Sequence, residues 1–175
     1  TGAYYSDATL REQLAAWEAH NGPVPVKDRR LPVRAGTFLW SEHHQPPHLQ
    51  GRDGDIVASI ACDGPFVSRR LIVLEDRIDI LDEVSTTDPH QVLWQLSPEW
   101  RIEADGPRRF LIQREEAVPL VVTFESADPV CIETLVQTVS RRFRQTENAP
   151  AFKIRFTRAL RTRLTEQAPA GAPSS

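Results

Sequence analysis

The 175-residue chain has no methionine, not even at position 1, and only two cysteines, Cys62 and Cys131. The missing initiator residue leads us to expect a chain that begins inside an open reading frame, as a processed product or a piece of a longer protein. A site shared with other segments would then be incomplete here. Two cysteines make no disulfide framework. They could pair in an oxidising compartment, but the favoured expectation is a pair of buried free thiols in adjacent strands. No apolar run approaches the roughly 20 residues needed to cross a bilayer, and the opening residues carry no secretory-leader pattern. A net charge of −3 gives no global attraction to nucleic acid or to an anionic membrane. There is no glycine-rich phosphate loop, no serine elbow and no Cys-x-x-Cys pair, and no pattern of carboxylates specifies an acid–base dyad.

What is present is a globular composition, 40% apolar and 26% charged, long enough for one domain with a core. The organising stretch is Phe66–Trp100, which reads as three successive strands. In Val67–Asp76, the run Leu71-Ile72-Val73-Leu74 is apolar on both faces, which predicts a strand covered on both sides. A turn is expected at Asp76-Arg77. In Arg77–Val84, Ile78, Ile80 and Val84 point one way and Arg77, Asp79 and Glu83 the other, with Leu81 as the exception. Asp79, Asp82 and Glu83 are read as lying on or near the solvent face. Val92, Trp94 and Leu96 alternate in the third strand, with His90 as an edge residue at its start.

On the N-terminal side, Thr9–Trp17 reads as a helix. Thr9-x-x-Glu12 makes a capping box, Leu10, Leu14 and Trp17 share a face, and Asn21-Gly22 is the stop. Val24 and Val26 suggest a short edge strand, and Val33–Trp40 an extended one. Ser41–Asp55 is a polar loop, and Ile56–Cys62 returns to strand. Beyond Trp100, Asp105-Gly106 turns a hairpin between Trp100–Glu103 and Arg109–Gln113. Leu120, Val122 and Phe124, then Val130–Phe143, supply further strands, with a turn at Asn148–Pro150. Phe152, Ile154, Phe156, Leu160 and Leu164 all fall on even positions, which predicts one long final strand. About ten strands at this spacing predict an all-β fold: an antiparallel β-sandwich, supersandwich-like, with one short N-terminal helix. It would span 1–167, with a disordered tail over 168–175.

Arginine clusters at Arg29-Arg30, Arg69-Arg70, Arg108-Arg109, Arg141-Arg142 with Arg144, and at Arg155, Arg158, Arg161 and Arg163. These fit either ion-paired strand surfaces or a groove for an anionic ligand, since arginine forks onto carboxylate and sulfate. His20 stands between the predicted helix and a Gly-Pro turn, a fixed and partly enclosed position. Taken alone, it also reads as a hydrogen-bonded structural histidine. Among His43, His44 and His48, Pro46-Pro47 forbids the helical i,i+4 pairing that zinc would use, so a solvated loop is preferred to a metal site.

Seven short motifs fall in a fixed order between Gly2 and Pro98. They are Gly2-Ala3-Tyr4, Ala19-His20-Asn21, Val26-Lys27-Asp28, Cys62-Asp63-Gly64-Pro65, Ser68-Arg69-Arg70, Ile80-Leu81-Asp82 and Leu96-Ser97-Pro98. In order and spacing this set resembles the C-terminal β-sandwich of the heparinase II/III-like polysaccharide lyases. The resemblance implies β-elimination on a uronate-containing acidic polysaccharide, heparin- or heparan-like or otherwise, in a parent chain whose preceding domain is a helical toroid. It also implies that elimination needs no cofactor, with a possible structural zinc in the full-length parent. His20 would be one ligand of that zinc and the others would lie upstream of Thr1, so the isolated chain would hold no zinc of its own. By the same resemblance His20, Asn21, Arg69, Arg70 and Arg11 are substrate-cleft candidates, and no residue of this chain is assigned as catalytic. Cys62, Pro65 and Ser68 replace a histidine, a tyrosine and a histidine of the family pattern. A periplasmic or extracellular location is implied, and the isolated chain is expected to be inactive. The alternative is a non-catalytic carbohydrate-binding or structural sandwich.

Overall fold

A computed structural model describes residues 9, 21–26, 48–61, 66–142 and 145–167. The predicted helix beyond Thr9, Arg11, His20, the 33–40 stretch, His43, His44, Cys62 and the tail lie outside the described residues. Twelve strands are described: β1 (Val24–Pro25), β2 (His48–Arg52), β3 (Asp55–Ala61), β4 (Phe66–Val73), β5 (Arg77–Val84), β6 (His90–Gln95), β7 (Arg101–Ala104), β8 (Arg109–Gln113), β9 (Leu120–Glu125), β10 (Cys131–Arg142), β11 (Gln145–Phe156) and β12 (Ala159–Glu166). They form a four-stranded sheet in the order β1-β6-β11-β10 and an eight-stranded sheet in the order β2-β3-β4-β5-β12-β9-β8-β7. Every pairing is antiparallel. The two layers make the predicted all-β sandwich.

The alternation of side chains across each strand builds the core. Phe110, Ile112, Val122, Phe124, Leu160 and Val84 from the large sheet meet Val92, Phe152, Ile154 and Phe156 from the small one. At the centre Phe152 stands edge-on to Phe110 (5.0 Å between ring centroids) and to Phe124 (5.3 Å). This geometry sets a positive ring edge against a negative ring face.

Several expectations are corrected. The even-numbered apolar series does not belong to one strand. It is broken at Thr157-Arg158, and Arg158 takes φ 61°. The chain there crosses from the small sheet into the large one. Parity survives because both strands point these residues at the same core. Asn148–Pro150 is not a turn but part of β11, paired with Val136–Thr138. The expected polar loop ends in a strand: His48–Arg52 pairs with Asp55–Ser59, and Asp53 (φ 46°) and Gly54 (φ 84°) close the hairpin. Two positive φ values in sequence fit the twist of a two-residue hairpin loop, which Asp-Gly suits. His90 does open a strand, but it is an interior residue, flanked by β1 and β11 and only 1% exposed. Cys131 is exposed, and its strand pairs in the small sheet while β3, which runs up to Cys62, pairs in the large one. The expectation of buried thiols in adjacent strands is therefore wrong for Cys131. Leu71–Leu74 is not covered on both sides: Val73 and Leu74 are 46% and 41% exposed at the turn that ends β4. A bond from Leu74 N to Arg77 O closes that turn.

Candidate functional site

Strands β4 and β5 pair Arg69 directly opposite Asp82. The alternation that sends Val67 and Leu71, and Ile80 and Val84, toward the core sends these two the same way. Asp82 is completely buried, contrary to the expectation of a solvent-facing position. A buried carboxylate needs a partner, and Arg69 supplies it with two parallel bonds, Nε to Oδ1 at 2.6 Å and Nη2 to Oδ2 at 2.9 Å. Burial pushes the Asp82 carboxyl above the usual carboxylate range, against the downward pull of the Arg69 guanidinium.

Arg69 reaches further. Its Nη1 donates to the backbone carbonyl of Asn21, and its guanidinium lies over the Trp94 ring, 4.5 Å from the ring centroid. Such stacking adds a cation–π attraction. Trp94 in turn donates from Nε1 to Thr162 Oγ1 at 3.3 Å. Asn21, exposed at the start of the β1 segment, is held a second time, because its Oδ1 accepts a bond from the Gln95 backbone N–H at 3.1 Å. Four elements thus meet at one polar cluster. β4 gives Arg69, β5 Asp82, β6 Trp94 and Gln95, and the stretch before β1 Asn21.

The structure brings together Asn21 and Arg69 of the residues singled out from sequence. Arg70 points to the other face and pairs with Asp55, Nη2 to Oδ2 at 2.5 Å, in the open. The bond from Arg70 holds the Asp55 carboxyl below its usual range. Sequence reasoning missed Asp82 and Trp94 as members of the cluster. The signal for Asp82 was there, in the even-numbered apolar residues on either side of it.

Most of the other described arginines that the sequence clusters follow the ion-paired surface reading: Arg155, Arg158, Arg161 and Arg163 each face a carboxylate, while Arg108 donates to the Ser126 backbone carbonyl. On the outer face of the large sheet, Asp79 takes Arg163 (2.8 Å) and Arg77 (3.4 Å). Burial raises the Asp79 pKa, but the two guanidinium groups outweigh it and leave the carboxyl below its usual value. Arg109 pairs with Asp105 at 2.6 Å and Arg158 with Asp128. His48 sits on β2 with its side chain exposed. A groove of about 830 Å³ runs between Pro98 and Glu116, and of the described candidates none of Asn21, Arg69 and Arg70 lines it. Among the described residues no three His, Cys, Asp or Glu side chains are grouped as metal ligands would be.

The two-sheet architecture is shared with solved structures of a heparan sulfate lyase and of heparinase III. Comparison with protein-family profiles and with curated protein sequences returned no match. Among solved structures, the heparan sulfate lyase HepC from Pedobacter heparinus is similar over 99% of this chain, with a TM-score of 0.72 and 14% identity. A heparinase III gene product matches over 99% at TM-score 0.71 and 13% identity. A further heparinase III matches over 97% at 0.69 and 11%. At these identities it is the fold that is shared. The chain spans about 28% of the length of the first of these structures.

Proposed function

We propose that this chain is the C-terminal β-sandwich of a polysaccharide lyase that cleaves a uronate-containing polysaccharide by β-elimination, and that it is inactive alone. The observation that carries the proposal is the likeness to lyase structures along nearly the whole chain, combined with its covering only 28% of their length. The order of the sequence motifs supports the same reading. In such a reaction a base removes the proton next to the uronate carboxylate, a cation or amide neutralises that carboxylate, and an acid protonates the leaving oxygen. Asn21 is the described residue best suited to the second role. Its Oδ1 accepts from the Gln95 N–H, so the NH₂ group is the part of the amide that would donate to the carboxylate. The base and acid belong to the rest of the longer polypeptide, whose helical domain would complete the cleft. A structural zinc there would take His20 as one of its ligands, and the protein would work outside the cytoplasm.

The test is to express the longer polypeptide and follow the ultraviolet absorbance of the unsaturated uronate ends as heparan sulfate and other uronate polymers are digested. A rising trace with the longer polypeptide and a flat one with this chain are expected. A flat trace with the longer polypeptide on every such polymer would refute the lyase assignment. A stoichiometric, chelator-resistant zinc in the purified 175-residue chain would refute the one-ligand account.

A further inference from the structure

We infer that Arg69 is a positioning residue, which pins Asn21 to the sandwich, and that Asp82 is buried in order to hold Arg69 in that pose. A guanidinium has five N–H donors in a fixed plane. Here Nε and Nη2 are directed to Asp82, Nη1 to the Asn21 carbonyl, and one flat face to Trp94. A group committed in this way is poorly placed to grip a substrate anion.

The energetic argument points the same way. A buried ion pair loses so much hydration that an apolar pair of similar size stabilises a core as well or better. The large sheet therefore gains little by keeping Asp82 at zero exposure. What an apolar pair cannot do is reach across the layers and donate to the Asn21 carbonyl. That bond and the one from Gln95 tie the same residue to both sheets, through β4 and through β6. Asn21 thereby gains a fixed orientation that its own exposed side chain could not maintain. The value of this pin for elimination rests on the lyase proposal above; the pin itself does not.

The Gln95 amide reports on the pin directly, because its acceptor is Asn21 Oδ1. The double substitution Arg69→Met with Asp82→Leu is expected to leave the melting temperature at or above that of the wild type. Exchange of the Gln95 amide hydrogen should nevertheless be at least about tenfold faster, since a bond worth roughly 1.4 kcal/mol is a factor of ten. A pair that serves stability alone would not separate the two readouts. Arg69→Lys is the second variant. It keeps the charge opposite Asp82 but loses the fork, so the fold should persist and Gln95 should again exchange faster. Unchanged Gln95 exchange in either folded variant would overturn the inference, as would rapid exchange of Gln95 in the wild type. In the longer polypeptide, Arg69→Lys should lower kcat with little change in KM. A wild-type polypeptide without lyase activity would remove the proposed function and leave the exchange result standing.

Discussion

Replacing Phe152 by alanine should be the most damaging single truncation in the core. The residue is 1% exposed and stands between Phe110 and Phe124. Phenylalanine-to-alanine changes at buried sites cost about 3–5 kcal/mol, part from lost transfer energy and part from the cavity. Two edge-to-face contacts at 5.0 and 5.3 Å, each worth roughly 0.5–1.5 kcal/mol, place this site in the upper half of that range. Strands β6 and β10 flank it in hydrogen-bonded register, Trp94 and Thr134 being its direct partners. That pairing leaves the backbone little room to collapse into the gap. For a chain of this size each kcal/mol lowers the melting temperature by about 2–4 °C, so a loss of roughly 8–20 °C is expected. Calorimetry and urea unfolding followed by near-ultraviolet circular dichroism would measure it, with Phe152→Leu, which keeps an apolar side chain in the gap but loses both ring contacts, as a milder control that loses less than the alanine variant. A loss below about 2 kcal/mol for the alanine variant would show that the three-ring contact is not the centre of the core.

Trp94→Ala should destabilise by about 3–5 kcal/mol, since it also leaves Thr162 Oγ1 without its indole donor and uncovers Arg69; an unchanged urea midpoint would contradict this. Asp79 has its pKa lowered by Arg163 and Arg77 despite burial, so its contribution is complete above the unfolded value of about 3.9 and disappears as pH falls through the lower folded value. The stability gap between wild type and Asp79→Asn should therefore narrow as pH drops from about 5 toward 2, and a gap independent of pH would refute the pairing. Burial shifts Asp82 the opposite way, but that effect is common to both proteins and cancels. Exposed Cys131 should react with a thiol reagent in the native chain, and Cys131→Ser should remove one equivalent of label; equal labelling of both proteins would show the thiol to be covered.

Period-two alternation made the strands legible. Arg77–Val84 was read with its observed bounds, and the Asp105-Gly106 hairpin and the pairing of β1 at an edge were foreseen. Expectation and structure part where residue chemistry competes with the pattern. Asp82 has the parity of Ile80 and Val84 and faces the core with them, although its charge suggests solvent. The proline before His90 suggests an edge, yet the residue lies between β1 and β11. The crossover at Arg158 was hidden because alternation continues unbroken from one sheet to the other. Of the candidate site, Arg69 and Asn21 were named from motif order. Their meeting could not be read from sequence, because it depends on the register of β1 against β6 and on the distance between layers.

The order of the eight-stranded sheet has a consequence for how the molecule is made. Its last strand, β12, lies between β5 and β9. Until residues 159–166 have left the ribosome, the halves β2–β5 and β7–β9 have no seam joining them. Closure must wait for the final strand to be inserted, a step dominated by contacts distant in sequence and therefore slow. Removing that one strand would leave two unjoined ribbons with their inner edges open to intermolecular pairing.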